Sequence, residues 1–325
     1  MTVYLLAGAL VGLPCSLVLP QILARLGFLD VPGERSSHSR PTPKGGGVAF
    51  ILAFGLACGA VGMPAFIWLP LLALAILSFA NDLSCITPHV RLVAQFAAAT
   101  ATMAGAWWSG DFHLNGFLIL PAALFVVGTC NCYNFMDGIN GIAGFTGIVA
   151  LGCLMIFGDA GSAAIDISPC LAAVIGALIG FLPFNIPKAR LFMGDVGSIF
   201  LGFLFATAVC LLARTWTGFF VLASFLFPFY ADEAVTMTER IWRKESLLQP
   251  HRRHLYQFLA NEHGIAHWKI SVAYGLIQFA VAWCAVQAGE HGLGAVLGLD
   301  AALLVVWAAT HLILKRRYLL NRQGM

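Results

Sequence analysis

Long apolar stretches separated by short polar ones set the pattern of this chain. The apolar runs fall at about residues 3–26, 47–62, 64–80, 92–109, 117–134, 140–157, 167–184, 198–213, 216–238, 269–288 and 293–314. About 20 apolar residues in a helix cross a hydrocarbon core about 30 Å thick. Helices can do so because they satisfy their own backbone groups where no water is present. The pattern predicts an all-α, polytopic membrane bundle of about eleven helices, forming one domain over residues 1–325. Glycine and alanine recur inside the runs, as at Gly176 and Gly180, and small residues let helices pack closely in lipid. No internal repeat and no low-complexity stretch is visible.

Composition makes the same demand. Hydrophobic residues form 60% of the 325 and charged residues only 10%, against roughly 25% charged in soluble domains. So few charges could not cover a folded body of this size with a water-compatible surface, and a mean hydropathy of +0.86 agrees. A net charge of +3 is too small to suggest nucleic acid as a partner. The nine cysteines are odd in number, lie mostly in apolar runs and contain no CxxC. They read as small apolar packing residues. The first run lacks a basic start and an A-x-A site, so it reads as a retained span.

The distribution of the cations predicts an orientation. With the N-terminus outside, seventeen of the 18 Lys and Arg residues fall on the inner side and only Arg214 on the outer. The N-terminus is then periplasmic and the C-terminus cytoplasmic. The inner polar segments, at about 27–46, 81–91, 134–140, 185–197 and 239–268, are also the chemically rich ones. At the inner end of the last run, Lys315, Arg316 and Arg317 suit anionic lipid head groups.

Six constellations lie on that inner face. Asn81-Asp82 ends the third run; its plainer reading is a polar helix terminus. Asn131, Asn134 and Asp137 are spaced i, i+3, i+6 and would share a helical face, while Asp137-Gly138 and Asn140-Gly141 read as a break. Capping accounts for one or two of these residues but not for the whole group. Phe192 to Ser198, FMGDVGS, places Asp195 and backbone N–H groups at a helix start, a setting that favours phosphate. Asp195 could instead hold Mg²⁺, which takes one or two carboxylates together with substrate oxygens and water. The sequence HRRH, His251, Arg252, Arg253 and His254, could clamp phosphates; positive-inside charge explains its arginines but not its histidines. Asp232 and Glu233 are adjacent acids in an apolar helix and suggest either a site or a buried ion pair. Lys44, followed by three glycines, could approach a phosphate or simply belong to a flexible basic loop. Acids among basic loops on one membrane face form an inventory for metal-assisted phosphoryl transfer.

At these residues the chain resembles the polyprenyl-phosphate N-acetylhexosamine-1-phosphate transferases. The resemblance covers about residues 25 to 260 and rests on Asn81, Asp82 and Arg91-Leu92, on the NxxNxxDG of Asn131 to Gly138, on the MGDxGS of Met193 to Ser198, and on the histidine-containing loop. It implies a membrane bundle, often a homodimer, in the bacterial inner membrane with a cytoplasmic active site. It implies that undecaprenyl phosphate attacks a UDP-N-acetylhexosamine and releases UMP, with Mg²⁺ as cofactor and Mn²⁺ as a substitute. Asp195 would ligate the metal, Asp137 and Asn134 would line the nucleotide site, and Asp82 would handle the lipid phosphate. His251 and His254 would contact the diphosphate or sugar. Two departures stand out: Asn81 replaces the family's first acid, and HRRH stands where the peptidoglycan enzyme has successive histidines. HRRH and Asn140 resemble the O-antigen-initiating branch, whose donor is a free N-acetylated hexosamine or its 6-deoxy form. Two rival expectations remain at this level: a secondary transporter, which would usually show paired repeats, and a weakened homologue that binds polyprenyl phosphate, for which Asn81 is the reason.

Overall fold

All eleven apolar runs are helical in the computed structural model, which describes residues 1–33, 40–83, 86–111, 115–158, 165–245 and 252–323. Helix α1 (Thr2–Arg25) leads to a two-residue antiparallel pair, β1 (Leu29–Asp30) with β2 (Thr42–Pro43). Then come α2 (Val48–Val61), α3 (Ala65–Leu83), α4 (Pro88–Ser109), α5 (Ile119–Phe135), α6 (Ile142–Phe157), α7 (Ser168–Asn185) and α8 (Gly194–Leu212). The chain closes with α9 (Trp216–Ala223), α10 (Phe227–Trp242), α11 (Leu255–Asn261), α12 (His267–Gly289) and α13 (Leu293–Gln323). Among the described residues eight stretches are long and apolar enough to cross a membrane, with α9 and α10 counted as one from Trp216 to Trp242; α2 and α6 are apolar but shorter. Exposed Val3, Leu10, Leu56, Leu120 and Val305 present apolar surface outward, as a lipid-solvated bundle should.

Three elements depart from the run boundaries. The run at 216–238 is interrupted by a 3₁₀ turn at Ser224–Leu226. Pro228 restarts it at the head of α10, where a missing N–H costs nothing. Segment 239–268, read as a loop, contains α11. Helix α13 continues past residue 314 to Gln323, because the Lys and Arg residues that end its apolar run are good helix formers.

Helix α8 is the axis of the bundle, buried at every residue from Val196 to Leu212. Helices α2, α3, α4, α5 and α6 pack around it. Helix α1 is held against α7 by small residues on both sides. Its buried positions Gly8, Gly12 and Ser16 form one stripe, and a Cβ on Gly8 would run into the Ala173 carbonyl, as one on Gly176 would into Leu5.

The element that places the site is a main-chain clasp between the start of α2 and the start of α8. Phe192 N–H donates to Pro43 O (2.8 Å), Gly45 and Gly46 N–H donate to Phe192 O (3.1 and 2.9 Å), and Gly47 N–H donates to Met193 O (3.0 Å). A Cβ on Gly47 would run into the Gly197 backbone, and one on Gly46 would lie 2.7 Å from the Phe181 ring. Gly47 therefore serves a close approach of backbone to backbone, and Gly46 leaves room for the Phe181 and Leu191 side chains.

This clasp yields a stability prediction. Gly47→Ala must push α2 off α8, at about 1–3 kcal/mol for overpacking, and should lower the melting temperature in detergent by several degrees. Gly55→Ala, with open space around its Cβ position, should leave it unchanged. Equal melting of the two variants would show that the clasp does not carry the packing.

Candidate active site

Three of the sequence-predicted acids, together with Asp30, converge on one cavity of about 340 Å³. Asp82 arrives at the C-terminal end of α3, Asp137 in the turn between α5 and α6, and Asp195 in the first turn of α8. Lys44, Asn134, Asn140 and Phe192 complete the sequence-predicted set that lines it. Lys44 Nζ lies 3.2 Å from Asp82 Oδ1, and Arg91 Nη1 lies 3.2 Å from Asp195 Oδ2. Gly194, at φ +72°, brings the head of α8 so close that a Cβ there would lie 2.8 Å from Asp82 Oδ2.

Asn81 does not line the cavity. Its Nδ2 donates to Asp195 Oδ2 at 3.0 Å, and its Oδ1 accepts from Ile86 N–H at 3.2 Å. It holds the carboxylate of Asp195 from behind, which an ionised acid at position 81 could not do.

The expected common face of Asn131, Asn134 and Asp137 is divided by the end of α5 at Phe135. Asn131 is one turn deeper, with Nδ2 donating to Gln95 Oε1 (2.7 Å) and Val127 O (2.8 Å). Asn134 accepts from Ser198 Oγ (2.7 Å), which ties α5 to α8. The expected break is present: Gly141 sits at φ +91° and donates its N–H to Asn185 Oδ1 (2.6 Å). Asn185 Nδ2 in turn donates to Leu191 O (3.0 Å), and Asn140 Nδ2 to Pro187 O (3.2 Å). The acid-bearing turn is thus stitched to the loop that leads into α8. Burial, and then the negative charges of Asp195 and Asp30, push the Asp137 carboxyl up to about 7.

The second half of the expected site is arranged differently. Asp232 is fully buried away from the cavity and accepts from the N–H groups of Leu255 (2.9 Å) and Tyr256 (3.4 Å) and from Tyr274 Oη (2.7 Å). It satisfies the open N-terminus of α11. His254 is 2% exposed, wedged with Nδ1 3.7 Å from Asp232 and Nε2 3.5 Å from Glu233, its ring stacked on Tyr256. Arg253 pairs with Glu245 (2.6 Å) and Glu239 (3.5 Å). Arg252 is not among the lining residues, and His251 lies outside the described residues. The motif builds a frame, and the frame delivers Gln257, which does line the cavity.

Gln257, Asp30 and Asn185 are lining residues that the motif reading did not find. Their membership of inner polar segments or span ends was visible; their convergence depends on β1, on the α7 terminus and on α11. Next to this acidic cavity lies a second, of about 740 Å³, lined by Arg40, Lys188 and Arg190 and sharing Asn140 and Phe192 with the first. Acids beside Lys44 and Arg91, with a basic basin adjoining, can accommodate a cation and a polyphosphate side by side.

Comparison with known proteins adds independent findings. Residues 64–213 match the model of glycosyl transferase family 4. The chain is 31% identical over 261 residues to an undecaprenyl-phosphate alpha-N-acetylglucosaminyl 1-phosphate transferase of Thermotoga maritima, covering 77% of this chain and 79% of that one. It is 26% identical to a decaprenyl-phosphate N-acetylglucosaminephosphotransferase of Mycobacterium tuberculosis, covering 95% and 89% of the two chains. A shorter match, 36% identical over 110 residues and about a third of each chain, is to a phospho-N-acetylmuramoyl-pentapeptide-transferase of Streptococcus pneumoniae.

The raised Asp137 carboxyl sets a pH dependence of stability. Unfolded, it ionises near pH 3.9 (about, for a free Asp); folded, it keeps its proton up to about 7. The folded state binds the extra proton between these values, so stability falls as pH rises across that window, and the whole loss is in place above it. Asp137→Asn removes the effect. The variant should melt above wild type at about pH 8, with the gap closing by about pH 4. A gap independent of pH would assign the carboxyl an ordinary titration.

Proposed function

The chain belongs to the polyprenyl-phosphate N-acetylhexosamine-1-phosphate transferases, and from that membership we propose that it moves N-acetylhexosamine-1-phosphate from a UDP-sugar to undecaprenyl phosphate on the cytoplasmic face of a bacterial inner membrane. The reaction is proposed as the initiating step of an O-antigen or related envelope polysaccharide. The observation that carries the reading is the convergence of Asp82, Asp137 and Asp195 with Lys44 in one polar cavity at the end of an apolar bundle. In this reading a lipid phosphate reaches that cavity from the membrane surface, and a nucleotide from water.

In this reading an oxygen of the lipid phosphate attacks the sugar-linked phosphorus. The new P–O bond forms as the bond to the bridging oxygen breaks, and UMP leaves. Such transfer needs positioning and charge neutralisation more than covalent help. Lys44, held at Asp82, stands where it can meet a phosphate oxygen. Asp82 orients Lys44 and could take up a proton from the lipid phosphate. Arg40, Lys188 and Arg190 offer the nucleotide phosphates a basic approach. Asn140 and Phe192, shared by both cavities, stand where the donor would cross between them.

The residues fit a Mg²⁺ ion. Among the described residues no three His, Cys, Asp or Glu side chains form a ready metal cluster, and magnesium needs only one or two carboxylates when substrate phosphates supply the rest. Asp195 would hold it, with Asp82 facing the same gap left open by Gly194. Bound there, the ion would neutralise the diphosphate and the leaving UMP; Mn²⁺ would serve as a substitute.

The test is UMP release by purified protein given undecaprenyl phosphate, Mg²⁺ and a panel of UDP-N-acetylhexosamines, with and without EDTA. We expect UMP only when lipid, metal and one preferred donor are all present; no UMP from any donor would reject the reading. Asp195→Asn should abolish release while leaving melting unchanged. Asn81→Asp, which trades a donor for a negative charge 3.0 Å from Asp195, should lower kcat/KM by about tenfold or more. A higher rate in that variant would show that Asn81 stands in for a missing acid.

A further inference from the structure

Helix α13, like α10 and α11, lies beyond residue 213, where the match to the family model ends. Its 31 residues measure about 46 Å at a rise of 1.5 Å each, against a hydrocarbon core of about 30 Å. The excess is the polar end that begins at Lys315. The sequence alone suggests that this end meets lipid head groups. Within it, Lys315 and Tyr318 also have protein partners. Lys315 Nζ donates to Glu239 Oε2 of α10 at 2.7 Å and to the Arg253 carbonyl at 3.1 Å. One turn on, the Tyr318 ring packs edge-on against Phe258 (5.4 Å between centroids), and its hydroxyl donates to Glu262. The overhang therefore grips α11 at both ends, by the main chain just before it and by the residue just after it.

What α11 carries gives this grip a consequence. Gln257 lines the acidic cavity, and Tyr256 Oη donates to Phe135 O (3.0 Å), at the root of the turn that bears Asp137. Asp232 fixes the head of α11 from α10. Glu239, through Lys315 and Arg253, gathers the same segment from below. One cation on α13 thus joins the last helix to a wall of the site.

We propose that Lys315 is a positioning residue for the donor: it sets the α11 wall that places Gln257 at the cavity and Tyr256 against the turn bearing Asp137, the acid that the family resemblance assigns to the nucleotide site. The proposal rests on the transferase reading for its kinetic consequence, but its structural part can be measured separately. Three variants make the comparison: Lys315→Met, Lys315→Arg, and Arg316→Met as a control, since Arg316 is an exposed cation one residue away.

Lys315→Met should raise the KM for the UDP-sugar by about tenfold and leave the KM for undecaprenyl phosphate unchanged. Lys315→Arg should restore most of the loss, and Arg316→Met should behave as wild type. Backbone hydrogen exchange over 254–261 should be faster in Lys315→Met alone. Equal loss in Lys315→Met and Arg316→Met would overturn the proposal in favour of a general charge effect at the lipid surface. Unchanged exchange in Lys315→Met would overturn the grip itself. If wild type released no UMP with any donor, the transferase reading and the kinetic part would fall together, and hydrogen exchange alone would decide whether Lys315 holds α11.

Discussion

The site depends on four backbone hydrogen bonds between residues 43–47 and 192–193. They close the gap between the start of α2 and the start of α8, and every other feature of the cavity is measured from that closure. Lys44 reaches Asp82 because the clasp fixes its backbone, and Gly194 can face Asp82 because the head of α8 is drawn against Gly45. Side chains at Gly47 or Gly194 would push the two segments of the clasp apart. The bonds also meet a requirement of the medium, since irregular backbone near the hydrocarbon must find partners within the protein.

The clasp concentrates negative charge, and the surrounding groups are those that make the concentration tolerable. Asp82 has Lys44; Asp195 has Arg91 and the amide of Asn81. Asp137 has no such cation at bonding distance among the described residues; burial first, and then the charges of Asp195 and Asp30, push its carboxyl up to about 7. An acid at position 81 would add a like charge beside Asp195. The amide instead supplies a donor, so the departure from the family pattern is accommodated by a specific bond.

The far wall shows a different use of charged residues. Asp232, Glu233, Glu239, Arg253, His254 and Lys315 are engaged largely with one another. Their bonds fix α11, whose own side chains Tyr256 and Gln257 then reach the acid-bearing turn. Several charges that resemble ligands in one dimension are scaffolding in three.

The sequence by itself determined the solvent, the fold class and much of the acidic half of the site. Apolar runs of span length and 10% charged residues leave lipid as the only workable surroundings, and the helices follow from the backbone's need for internal partners. Asp82, Asp137 and Asp195 were legible because each stands where an apolar run gives way to glycine or to polar residues, a local property. The tertiary structure decided what each motif residue touches. Asn131 and Asn134 sit one turn apart yet meet different helices, Asp232 caps α11, and Lys315 grips a segment more than sixty residues away. Asp30, Asn185 and Gln257 enter the cavity from three separate elements. Periodicity records which face of a helix is apolar; the partner that a polar side chain finds is set by the packing of helices distant in sequence, and nothing local encodes it.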